Sequence, residues 1–141
     1  MKQSHWISSR TCVYNIYYHL VWSTKYRKQI LTGPITESLK DFFGEIALEN
    51  GFLILQQEIM PDHVHLFISA HPKYAPGALV KKLKGISGKW LLMRYPELRK
   101  IYRRHQLWNP STYLGTAGDV SKAVIEKYIA AQKTHIPEKD D

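Results

Sequence analysis

Residues 52–70 read FLILQQEIMPDHVHLFISA, and this stretch decides the fold. Its two halves, 52–60 and 63–70, are rich in apolar and β-branched residues, as strands are. Met60-Pro61-Asp62 between them has the chemistry of a tight turn, so the pair is predicted to form an antiparallel hairpin. Side chains alternate across a strand. Val64, Leu66 and Ile68 therefore share one face and supply a core surface, while His63 and His65 share the other.

Upstream, residues 13–23 (VYNIYYHLVWS) read as one long strand, leaving through the basic loop Lys25-Tyr26-Arg27-Lys28. Pro34 opens a helix whose stripe is Ile35, Leu39, Phe42, Phe43, Ile46 and Ala47, and Asn50-Gly51 stops it. Downstream, residues 77–95 form a second helix with Leu79, Leu83, Ile86 and Trp90 as its expected buried edge. Lys81, Lys82, Lys84 and Lys89 fill its other positions. Pro96 ends this helix, and a basic connector leads to Trp108-Asn109-Pro110. A short fourth strand is expected at 113–116, a hinge between Gly115 and Gly118, and a last helix at 121–134. The order βαββαβ plus one helix is the α+β, ferredoxin-like arrangement, an antiparallel sheet with two helices on one face and the other face free for ligands. A single domain spanning 1–141 is expected, with 1–11 and 135–141 as loose ends.

The composition agrees with a folded domain. Of 141 residues, 44% are hydrophobic and 23% charged, enough for a packed core. No apolar run is long enough for a membrane span, and the start has no secretory pattern, so a cytoplasmic protein without a membrane partner is expected. Cys12 is the single cysteine, which excludes an intrachain disulfide and a cysteine-rich zinc site. The net charge of +8 has one source. Residues 81–104 hold nine basic side chains against Glu97, and the remaining chain balances eleven with eleven. Such concentration suits a polyanion, although a solvated helix face would look the same.

Two imidazoles at i and i+2 on a strand can grip one metal ion, but a working site needs a third group. Hydrogen-bonded histidines without metal are the alternative. A binuclear hydrolase barrel is discounted, because it needs about 250 residues. In the last helix, Tyr128 and Gln132 lie one turn apart on one face. A phenol attacks phosphorus once its proton is removed, and an amide oxygen can ligate a cation. Val124 and Ile125 leave open that this helix simply packs.

Together, Tyr17-Tyr18-His19-Leu20-Val21-Trp22, Lys25-Tyr26-Arg27, Met60-Pro61-Asp62-His63-Val64-His65-Leu66, Leu107-Trp108-Asn109-Pro110-Ser111 and Tyr128-Ile129 with Gln132 resemble the single-tyrosine HUH transposases of the insertion-sequence 200/605 class. The likeness runs from about residue 13 to 132. It implies a DNA strand transferase acting on single-stranded DNA with hairpins. His63, His65 and Gln132 would then ligate a divalent metal, magnesium or manganese. Tyr128 would be the nucleophile, leaving a 5′-phosphotyrosine. A homodimer would share its active sites between subunits. Lys25, Tyr26, Arg27, Lys28, Lys81, Lys82, Lys84 and Lys89 are the expected DNA contacts, and Asp62 is either a support for the site or a turn residue. A non-catalytic or domesticated nucleic-acid-binding relative on the same fold is the alternative.

Overall fold

The computed structural model describes residues 7–8, 13–14, 16–103 and 106–117 of the chain. Strands β1 (Ile7–Ser8) and β2 (Val13–Tyr14) pair in a small antiparallel ribbon. Strand β3 (Tyr17–Ser23) is separate, so the single long strand expected over 13–23 is divided, and Ile7 and Ser8 are not loose.

Helix α1 (Pro34–Asn50) follows. Proline at its start has no N–H to leave unsatisfied, and Gly51 closes it at φ 72°, returning its N–H to the Ala47 carbonyl. Strands β4 (Leu53–Met60) and β5 (His63–Ser69) form the expected hairpin, with a register shift between Ile54 and Gln56. Helix α2 (Pro76–Arg94), a short 3-10 turn (Pro96–Lys100) and strand β6 (Tyr113–Ala117) complete the described elements.

The main sheet has the order β4-β5-β3-β6 with every pairing antiparallel. This is the ferredoxin-like arrangement. Tyr18, Leu20 and Trp22 of β3 and Val64, Leu66 and Ile68 of β5 meet Leu39, Phe43 and Ile46 of α1 and Leu79, Leu83 and Leu91 of α2 in one core. Both helices therefore cover one face of the sheet.

The buried edge of α2 differs from the expected one. It consists of Leu79, Leu83, Ser87, Gly88, Leu91 and Leu92, while Ile86 is 41% exposed and Trp90 stacks against Phe42 instead. Trp108 causes the shift. Its indole N–H donates to Ser87 Oγ at 3.0 Å, and a Cβ on Gly88 would come within 3.0 Å of its ring. Small residues on the helix make a seat for a large one from a distant loop.

The second face of the sheet is not uniformly open. Tyr17 and Phe67, stacked at 5.8 Å, are buried at one end, and the histidine end is half-exposed. Gly115, one flank of the expected hinge, lies within β6 opposite His19. Gly118, the helix expected at 121–134 with Tyr128 and Gln132, and the tail 135–141 lie outside the described residues. No described helix is long and apolar enough to cross a membrane.

Candidate metal and DNA site

The register of β5 against its neighbours builds the site. His63 lies opposite Ser23 and Met60, and His65 opposite Val21 and Glu58. Cross-strand partners face the same way, so Glu58 joins the histidines on the second face. His63 Nδ1 is 2.9 Å from Asp62 Oδ1, and His65 Nδ1 is 3.3 Å from Glu58 Oε1. A carboxylate at Nδ1 holds the proton there, which leaves Nε2 of His63 as its ligating atom, whereas Nε2 of His65 is engaged with His19 Nδ1 at 3.0 Å. Asp62 thus supports His63 as well as making the turn. Its carboxyl is held below the usual range chiefly by the His63 hydrogen bond, with the Arg27 guanidinium assisting at 3.4 Å.

His19 was not among the expected site residues. Its Nδ1 lies 3.0 Å from His65 Nε2, and its ring stacks on His65 and Phe67 at 5.2 and 4.6 Å. Burial first, and then the neighbouring His65, keep its pKa below the usual imidazole value. The alternation of Tyr18, Leu20 and Trp22 toward the core was the available signal, since it places His19 on the histidine face.

Imidazole is a donor that divalent ions use, and a metal here would require His19 to release Nε2 of His65. Two imidazoles share a face, each with a carboxylate on its inner nitrogen, and a third imidazole adjoins one of them. Among the described residues, no group of three or more histidine, cysteine or acidic side chains is arranged to hold a metal, and a metal bound here would need a further ligand from elsewhere. Gln132, expected in that role, and Tyr128 lie outside the described residues.

Beside His63 is a cavity of about 650 Å³, with Arg27, Trp22, Asn109, Thr112 and Tyr113 among its walls. The 109–112 loop that forms one wall is fastened by Lys84. Its ammonium donates to the Asn109 carbonyl at 2.6 Å and to Thr112 Oγ1 at 2.8 Å, and it is 3.3 Å from the carbonyls of Pro110 and Ser111. Burial lowers its pKa. Lys84 was expected on phosphate; it is occupied in tying down the loop.

The other expected DNA contacts are divided between two places. Lys25, Tyr26, Arg27 and Lys28 follow β3, and all but Lys25 are exposed. Lys81, Lys82 and Lys89 are exposed on α2, across the sheet from the histidines. Lys82 donates to Asn50 Oδ1 at 2.9 Å. The structure does not bring the lysine helix and the histidine pair together.

Comparisons with known proteins identify the family and the fold. Residues 12–132 match the family described as "Transposase IS200 like". The ISDra2 transposase TnpA of Deinococcus radiodurans is 43% identical over 123 residues, spanning 87% of this chain and 88% of that protein. The transposase for insertion sequence element IS200 of Salmonella typhimurium is 29% identical, over 84% of this chain and 78% of its own length. A crystal structure of a Deinococcus radiodurans transposase superposes with a TM-score of 0.73 at 38% identity, covering 89% of this chain and 97% of that one. A REP-associated tyrosine transposase, solved bound to a REP hairpin, has the same fold at a TM-score of 0.54 and 12% identity, over 81% of this chain and 63% of its own.

Proposed function

We propose that this chain, which belongs to the IS200-like transposase family, cuts and rejoins single-stranded DNA at transposon ends through a covalent tyrosine link. The observation that carries this reading is the pair His63 and His65 on one sheet face, each with a carboxylate at Nδ1.

His63, His65 and Gln132 would hold a divalent cation, magnesium or manganese. When bound, such an ion draws charge from a scissile phosphate and makes phosphorus easier to attack. Asp62 and Glu58 orient the two rings and fix their tautomers. The DNA strand passes through the cavity beside His63, where Arg27 offers a cation to the backbone. The Tyr128 oxygen gives up its proton and bonds to phosphorus as the bond from phosphorus to the 3′ oxygen breaks. A 5′-phosphotyrosine and a free 3′-hydroxyl result. A 3′-hydroxyl attacking the same phosphorus reverses the exchange and restores the tyrosine. One phosphate ester replaces another at each step, so no nucleotide cofactor is consumed.

Hairpins near the element ends are the proposed recognition feature, a reading supported by the hairpin bound to the REP-associated relative. A homodimer sharing active sites between subunits is part of the same proposal.

The test uses a labelled, hairpin-bearing single strand with manganese, read as a protein–DNA species that survives denaturation. The unaltered protein should form it, and Tyr128→Phe should lose it while binding the hairpin as before. An adduct that persists in Tyr128→Phe removes that residue from its role. Hairpin binding with no adduct from the unaltered protein would favour the non-catalytic alternative.

A further inference from the structure

A second cavity, of about 410 Å³, lies on the other side of the loop that follows β3. Lys25, Tyr26, Ile101, Tyr102, Arg103 and Gln106 line it. The backbone of this loop is unusual. Tyr26 (φ 65°, ψ 9°) and Arg27 (φ 52°) are consecutive non-glycine residues in the left-handed region. Neither side chain favours that conformation, and it persists only where surrounding bonds impose it. They do so here. Lys25 N–H donates to the Leu107 carbonyl at 2.8 Å, Arg27 N–H to the Thr24 carbonyl at 3.0 Å, and Thr24 Oγ1 to the Lys28 carbonyl at 2.8 Å.

The strained turn holds an aromatic ring out in solvent. Tyr26 is 64% exposed, with its plane 4° from that of buried Tyr102 and the centroids 6.3 Å apart. Lys25 Nζ sits 5.4 Å from the Tyr26 centroid and donates to Gln106 Oε1 at 2.7 Å. An aromatic platform, two cations and an amide, with no acid among the described lining residues, suit an unpaired base with its phosphate.

We infer that this cavity seats one unpaired base of the substrate strand, stacked on Tyr26, with its phosphate toward Lys25 and Arg103. The inference rests on the reading of the chain as a DNA strand transferase and adds how the strand is held in register. Arg27, the next residue, lines the cavity of His63 and pairs with Asp62, which holds His63. The base seat and the histidine are therefore linked through one short turn. A base in the seat fixes which phosphodiester lies before His63.

The experiment uses the full chain and a hairpin-bearing single strand from DNA flanking the gene, with 2-aminopurine placed at each unpaired position in turn. Binding should quench fluorescence at one position, because stacking on an aromatic ring quenches that base. Tyr26→Asn removes the ring while tolerating the left-handed backbone. It should abolish that quench, weaken binding roughly tenfold and spread cleavage over neighbouring phosphodiesters, with an unchanged melting temperature. Tyr26→Phe should restore all three. A quench that survives in Tyr26→Asn, or unchanged affinity and cleavage position, overturns the seat. A strand that binds and is cut without quenching at any position also overturns it, leaving the function intact. A strand that is not bound at all overturns both.

Discussion

The two faces of one sheet differ in what they ask of the same strand. On β5, Val64, Leu66 and Ile68 are fully buried under α1 and α2, while His63 and His65, their immediate neighbours, remain half-exposed beside Asp62, Glu58 and His19. One face is apolar and closed, so it bears stability. The other has polar atoms paired with one another and room for a ligand, and it is the face to which we assign the chemistry. Alternation lets both coexist within seven residues without compromise.

Substitutions that break one face should leave the other unchanged. The largest stability effect is expected from Leu66→Ala, which opens a cavity in the core and should cost about 2–5 kcal/mol in denaturant unfolding. A loss well under that range would mean the helices do not pack on this strand as described. Next is Lys84→Met, which releases the 109–112 loop from its ammonium clamp. We expect a loss of about 1–2 kcal/mol, with faster amide exchange confined to that loop and the neighbouring end of β6. Uniform exchange across the sheet would show that Lys84 acts elsewhere.

The smallest effect concerns Asp62. Its carboxyl titrates below the ordinary 3.8 because it accepts a hydrogen bond from His63 and sits near Arg27. A depressed folded-state value means that this contact contributes stability above the unfolded value and loses it as pH falls through the folded one. In His63→Ala the carboxyl midpoint, followed by NMR, should move up toward 3.8. A midpoint that stays put would detach Asp62 from His63.

The parts legible in the sequence are those governed by local periodicity. The β4–β5 turn, the alternation on β5 and the Pro34 and Asn50-Gly51 ends of α1 follow from neighbours a few residues apart. The parts that were not legible depend on distant partners. Ser87 and Gly88 carry no apolar signal, and only Trp108, twenty residues later, makes them part of the core. Glu58 and His19 join the site through register, which is set by the pairing of three strands. Lys84 looks like its neighbours Lys81 and Lys82 until the loop it binds is in place. The left-handed turn at Tyr26 and Arg27 has no glycine to announce it. Tyr128 and Gln132 remain expectations drawn from resemblance.

The central claim is that the histidine face holds the chemistry and contributes little to the fold. It is tested most directly by strand cleavage with manganese in the His63→Ala, His65→Ala double variant, with thermal unfolding followed in parallel. The account predicts no cut strand and a melting temperature within a few degrees of the unaltered protein. Cleavage at the normal rate by this variant would contradict it.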